Sequence, residues 1–289
     1  MPQMKFNKLY YTASQVQKKL GITHGELYNY VRNGRLHSII PPGKKLGVYT
    51  RAEVDQLAQE LNIFFAIRDK AETDFFRATK NDMPRIAEIS RAIFAPDIAA
   101  GEDTVYIETR SKWLEKNPDT MYILKSENTV VGYASLAPLS EEKIRQIINE
   151  EISTDDITPE DIEDFRHKKP IHLYIMAIGI DPKYNKHEKH IYGARLISHL
   201  ITFLTSLGHE GIKIETITAR SHKPDGIRLL RRMGFSEVMS PIPGKRLFII
   251  KIEETGNPLF TRYKEALAEW RSTRAANRET SKKSERDKK

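Results

Sequence analysis

The sequence predicts an α/β (α+β) chain in two parts. A small N-terminal helix-turn-helix unit with a β-hairpin beside it is followed by a larger domain whose mixed sheet is flanked by helices. Three observations carry this. Thr12–Gln15, Thr23–Glu26 and Thr50–Glu53 each place a Thr three residues before Gln or Glu. In that spacing the hydroxyl and the longer side chain satisfy N–H groups that a helix start leaves unpaired. From residue 73 to 253, β-rich runs alternate with runs of helical period, the pattern of a sheet with packed helices. Finally, the 289 residues include no cysteine and no apolar run near the ~18 residues of a membrane span. Disulfides and Cys-ligated zinc are excluded, no metal site is expected, and a cytoplasmic location is expected, with no signal-like apolar stretch at the start.

The net charge of +8 is uneven. Residues 1–61 hold nine Lys/Arg against four Asp/Glu, and residues 271–289 hold eight against three. Each end thus carries +5 and the middle carries −2, which suggests a polyanionic partner for the ends.

The first helix is expected from Ala13 to Leu20, stopped by Gly21, and the second from His24 to Asn33, stopped by Gly34. Only Gly21-Ile22-Thr23 joins them, a joint of helix-turn-helix type. Val16, Leu20, Ile22, Leu27 and Val31 have the spacing of its core. Thr23, His24, Tyr28, Asn29, Arg32 and Arg35 are left as candidates for base or phosphate contact. The stretch 36–50 reads as a hairpin with Lys44 and Lys45 at its tip, a basic wing. On these residues, 9–61 resembles the winged helix-turn-helix of MerR-like regulators and phage excisionases. The resemblance implies double-stranded DNA, with the second helix in the major groove and the wing on the backbone, and a homodimer. Residues 62–72 are a linker or a helix extension.

Residues 73–255 open with a strand, a turn at Asn81-Asp82 and a helix with Ile86, Ile89 and Ile93 on one face. A helix over 105–116 and a hairpin turning near 126–128 follow. The stretch 140–169 is an acidic insertion, expected as two short helices, either a solvated surface excursion or a collar favouring a cationic substrate. A strand at 172–180, a basic loop, a helix from Ala194, a strand at 211–219, a helix ending at Gly234 and a last strand at 246–254 complete the order.

Four segments in order, "FRATKNDMPRIAEI", "ENTVVGYASL", "AIGIDPKY" and "GIRLLRRMGFSEV", resemble the GNAT N-acetyltransferases. That resemblance implies acetyl-CoA or another acyl-CoA, bound where two parallel strands splay apart, and acyl transfer to an amine. It implies backbone donors at Ile178 and Ile180, and a pyrophosphate loop at Ile191, Tyr192, Gly193, Ala194 and Arg195. Departures accompany it. Three extra residues precede Gly193, Ile191 stands in place of the earlier glycine, and Glu188 in place of a basic or amide residue. Leu230 stands where many members carry a Tyr acid, and Lys223 where an Asn is frequent. Proton transfer then falls to Tyr174 or His172, to Glu215, or to Ser221 or His222.

Residues 256–289 begin as a helix striped with Leu259, Phe260, Tyr263, Leu267 and Trp270, and a basic disordered tail is expected from Arg271. The expected function is a DNA-binding transcriptional regulator with an acyl-CoA-binding domain that possesses or lacks transferase activity. In the latter case the domain serves as a sensor or dimerisation platform.

Overall fold

The computed structural model describes residues 9–32, 34–43, 46–66, 73–96, 103–166, 169–242 and 246–286, with backbone alone at 59–66, 73 and 276–286. In the N-terminal part, β1 (Tyr10–Thr12) runs into α1 (Ala13–Leu20), and α2 (His24–Arg32) follows after three residues. Thr12 and Gln15 close the start of α1 reciprocally, and Thr23 and Glu26 do the same for α2. Gly21 ends α1 at φ +66°, a left-handed conformation that glycine adopts without a Cβ penalty. β2 (Ser38–Ile39) pairs antiparallel with β3 (Val48–Thr50), and β1 pairs with the other edge of β3. α3 (Arg51–Ala66) then packs Val54 and Leu57 against Val16, Leu20, Leu27 and Tyr30. The region 62–72 is therefore helical as far as Ala66, and 67–72 lies outside the described residues, as do the wing-tip positions Lys44 and Lys45.

The larger part is a seven-stranded mixed sheet. Its elements are β4 (Thr73–Arg77), α4 (Met83–Phe94), α5 (Thr104–Lys116), β5 (Met121–Ser126) and β6 (Thr129–Leu139), then α6 (Glu141–Ile148), β7 (Ile171–Ile180) and α7 (Lys186–His209). β8 (Ile214–Arg220), α8 (Pro224–Arg232), β9 (Ser236–Val238), β10 (Leu247–Lys251) and α9 (Pro258–Arg286) complete it. The spatial order is β4-β5-β6-β7-β8-β10-β9, and the β7–β8 pair is parallel while its neighbours are antiparallel. The β5–β6 turn places Glu127 and Asn128 at φ +50° and +63°, the twist a two-residue hairpin needs. One sheet face is covered by α7 and α9 through Leu196, Leu200, Leu204, Phe260 and Tyr263. The other is covered by α4, α5 and the insertion through Met83, Ile86, Trp113 and Ile144.

Four differences from the sequence reading follow from local physics. The insertion holds one α-helix and two 3-10 turns at Thr154–Asp156 and Pro159–Asp161, each begun by a Ser or Thr that precedes an Asp by three. β9 is an added edge strand of three residues, too short to show a period. α7 starts at Lys186, eight residues before the expected start. α9 runs to Arg286, so the backbone from Arg271 is helical where disorder was expected.

Candidate functional site

β7 and β8 pair from Ile171–Ile214 to Ile175–Ala219. β7 then continues to Ile180 while β8 ends at Arg220, so the two parallel strands part at their C-terminal ends. A bulge at Met176 in the β6–β7 register falls where they part. Beyond it Asp181 donates its N–H to Val131 O on β6. Edges alternate along a strand, so Ile178 and Ile180 turn their N–H groups the other way, into the gap. Close approach of β6 fixes this edge. A Cβ on Gly132 would overlap Ile180 Cδ1 and lie 2.8 Å from Gly179 O. Gly179 is equally tight, with Tyr133 Cε1 3.2 Å from its would-be Cβ.

Asp181 ends the strand and is buried. Burial alone would raise its carboxyl, but the Lys183 N–H, the Arg85 guanidinium and the Lys183 ammonium hold it below the usual carboxylate value.

Asn185 then starts α7. Its Oδ1 accepts from His187 N at 2.9 Å and Glu188 N at 3.0 Å, and Glu188 Oε2 accepts from Asn185 N at 3.0 Å. From Lys189 N, bonded to Asn185 O, the N–H groups are taken by helix carbonyls. Ile191, Tyr192, Gly193, Ala194 and Arg195 lie inside this helix. The expectation that their N–H groups cradle a pyrophosphate is corrected: the Asn185–Glu188 cap moves the helix start upstream, and those donors are spent on the helix. Side chains go elsewhere too. Tyr192 stands edge-on to Tyr184, and Arg195 lies 5.9 Å from the Tyr192 ring. Gly193 has only Ile180 Cγ1 at 3.9 Å from its would-be Cβ. Around the helix start, Lys183, Lys186, His187, Lys189 and His190 remain exposed.

The proton-transfer candidates are not brought together. Glu215 sits at the start of β8, paired with Lys213 at 2.8 Å, which holds its carboxyl below the usual value. It is five residues from the end of the strand, about 16 Å at strand rise. His172 Nδ1 is 2.9 Å from Thr216 Oγ1, at that same far end. Tyr174 is 1 % exposed, and burial pushes its hydroxyl up to about 12. Burial that favours the neutral phenol makes Tyr174 a poor proton donor to a thiolate. Ser221 does lie at the end of β8, but its Oγ faces Lys223 O at 3.4 Å. His222 follows it, also at that end.

A residue not singled out from the sequence lies beside Tyr174. Glu150, from the insertion, is held at φ +59° with its carboxylate 2.8 Å from Arg220 and 3.3 Å from Ser240 Oγ. Its side chain is 3 % exposed. No sequence spacing marks it, because its partner is 70 residues downstream. Three further acids of the insertion are paired, Glu142 and Glu151 with Arg145 and Asp161 with Lys143, while Glu141, Asp155 and Glu160 are exposed.

On the N-terminal part, α2 divides its surface. His24, Tyr28 and Arg32 point to solvent, Tyr28 at 64 % exposure, and His24 Nδ1 contacts Gln17 Nε2. Asn29 does not join them. At 100° per residue it turns with Glu26 and Tyr30 to the side that faces Arg231, Gly234 and Phe235. Arg35 is likewise diverted: its Nη1 donates to the carbonyls of Arg231 (3.3 Å) and Arg232 (3.0 Å) at the end of α8. A cation there meets the negative end of the helix dipole and carbonyls with no intrahelical donor. Glu26 accepts from Thr255, Asn257 donates to Tyr30, and Thr23 packs near Gly256.

Among the described residues no group of three or more His, Cys, Asp or Glu could hold a metal ion, and no helix is long and apolar enough to cross a membrane. The model of the acetyltransferase (GNAT) family matches residues 83–235, more than half of the chain. Among solved structures, N-acetylglutamate synthase from Neisseria gonorrhoeae, complexed with coenzyme A and N-acetyl-glutamate, is 17% identical at a TM-score of 0.39. The match covers 63% of this chain and only 36% of that one. The loading GNATL domain of CurA from Lyngbya majuscula is 12% identical at a TM-score of 0.44, covering 63% and 99%. The PaiA N-acetyltransferase from Thermoplasma acidophilum, in complex with coenzyme A, is 11% identical at 0.40, covering 63% and 99%. A search of curated proteins returns no match.

Proposed function

Because the chain belongs to the acetyltransferase (GNAT) family, we propose that residues 73–255 bind an acyl-coenzyme A at the parted ends of β7 and β8 and pass the acyl group to an amine, while residues 9–61 bind double-stranded DNA as a winged helix-turn-helix. The observation that carries the first half is the open edge of β7, with the Ile178 and Ile180 N–H groups turned into the gap. Acyl-coenzyme A, when bound, supplies a thioester carbonyl whose oxygen gains charge as an amine attacks. Fixed N–H groups at such an oxygen stabilise that charge at no reorganisation cost. The N–C bond forms, the C–S bond breaks, and the proton lost by the nitrogen is matched by the one the thiolate gains.

The fit is unequal along the ligand. The strand edge suits the acyl end. At the phosphate end, α7 spends its own donors on Asn185, so exposed Lys183, Lys186 and His187 are the partners left to a pyrophosphate. A second reading, binding without turnover, is favoured by Leu230 in place of the Tyr acid and by the buried Tyr174. The DNA half rests on the basic N-terminal sequence and the solvent-facing row His24, Tyr28 and Arg32.

Calorimetric titration of the whole chain with acetyl-CoA, followed by thiol release over an amine panel, tests the domain reading. Binding with thiol release supports transfer, binding alone supports the sensor, and no binding sinks both. Duplex DNA of random sequence is tested by gel shift at two salt concentrations. Arg32→Ala should weaken it with a salt slope about one unit shallower, leaving acetyl-CoA affinity unchanged. Salt-independent or absent binding removes the DNA half.

A further inference from the structure

The sheet face under α5 carries buried polar atoms with no partner. Arg110 is 9 % exposed, its guanidinium 3.6 Å from the Trp113 ring centroid and 5.6 Å from that of Tyr106. Its Nη1 makes no hydrogen bond, and among the described residues it forms no ion pair, although Asp155 lies within its field. Trp113 Nε1 and Ser135 Oγ are also buried and unbonded, and the buried Tyr133 hydroxyl has the Ser90 and Tyr106 hydroxyls beside it. These groups share one side of the sheet. Tyr133 and Ser135 are alternate positions of β6, and Trp113 follows Arg110 by three on α5. Tyr133 lies within the field of the Arg110 charge. The Tyr133 ring lies against Gly179, so the group sits under the open end of β7.

An uncompensated buried charge is costly, and a guanidinium does not escape the cost by losing its proton. Burial pulls the Arg110 pKa down, with Tyr106 and Asp155 opposing, yet from an ordinary value far above neutrality. The stacking rings hold the guanidinium in place without neutralising it. Arg110 Nη1 and Trp113 Nε1 can only donate and meet no acceptor, so what completes them is an anion, with the unbonded Ser135 hydroxyl free to donate to it. One cation with two neutral donors balances one carboxylate. A phosphate dianion would leave a negative charge buried in turn.

We propose that Arg110, with Trp113 and Ser135, binds the carboxylate of the acyl acceptor, so that the acceptor is an amine bearing a carboxylate, an amino acid or a small derivative of one. This rests on the transfer reading above and names its substrate class. The carboxylate is seated under α5, and the amine of the same molecule is directed toward the Ile178–Ile180 edge.

The test uses the whole chain, with thermal melting in the presence of the L-amino acids, their C-terminal amides, and phosphoethanolamine as phosphate probe. At least one amino acid should raise the melting temperature where its amide and phosphoethanolamine do not. Arg110→Met, which removes the unpaired charge but keeps the side-chain length, should melt at or above the wild type without ligand and lose the shift. Arg110→Lys should keep part of it. With acetyl-CoA present, Arg110→Met should raise KM for that amino acid about 10–100-fold, with a smaller change in kcat. The idea is overturned if no amino acid shifts melting, if amides or phosphoethanolamine do so equally, or if Arg110→Met keeps the shift. It is overturned also if Arg110→Met melts far below wild type while Arg110→Lys shows no acid-dependent shift. Acetyl-CoA binding without an acid-dependent shift sinks the carboxylate site alone. An acid-dependent shift without acetyl-CoA binding sinks the transfer reading, and with it the acceptor role.

Discussion

The end of β7 and the start of α7 stand on either side of one short turn, yet they treat their backbone donors in opposite ways. At Ile178 and Ile180 the strand outruns its parallel neighbour and leaves N–H groups facing a gap. At His187 and Glu188 the helix gives its first donors to Asn185. A strand edge is opened by where the neighbouring strand stops, whereas a helix start is closed by a single residue. In the proposed site, the end that would meet an acyl group is thus set by the whole sheet, and the end that would meet phosphate can change through one local cap.

Three perturbations sharpen or break this contrast. The largest effect is expected at the far lip of the gap. Glu150→Ala leaves Arg220 without its buried partner and should cost about 3–5 kcal/mol, read as a lower urea midpoint with unchanged slope. A loss under about 1 kcal/mol would mean that the pair does not hold the end of β8. Next come two glycines given the same substitution. Gly132→Ala forces a methyl onto Gly179 O and should cost about 1–3 kcal/mol while weakening acetyl-CoA binding. Gly193→Ala, in mid-helix with one contact at 3.9 Å, should gain about 0.5–1 kcal/mol and leave acetyl-CoA affinity alone. If the second change weakens acetyl-CoA as the first does, the helix is not closed. Smallest is Glu188→Gln, which removes a carboxylate from the helix start. Acetyl-CoA should bind about 2–5-fold tighter at low salt, the gain fading as salt rises. An unchanged affinity would place the pyrophosphate away from this turn.

The contrast also explains what the sequence made legible. The Thr-to-Gln/Glu spacing located α1 and α2, because a cap is a local pattern read over four residues. The same rule applies at Asn185 and Glu188, where it places the start of α7. Gly193, which the family resemblance aligns to a phosphate loop, lies eight residues downstream of that cap, inside the helix. Mixed-sheet class was readable from alternating runs, while the unequal lengths of β7 and β8 depend on pairing between distant segments. Asn29 parts from Tyr28 because adjacent positions are 100° apart on a helix. Glu150 and Arg110 carry no signature at all. Each matters through what surrounds it in space, a buried cation in one case and the absence of a counter-charge in the other.

Arg35 donates to the last carbonyls of α8, a helix that begins just past the end of β8. The two parts of the chain therefore touch at a helix terminus. Linkage then runs in both directions. Were an acyl ligand at the proposed site to shift α8, the affinity of α2 for a bound partner would change, and that partner would alter acyl affinity by the same factor.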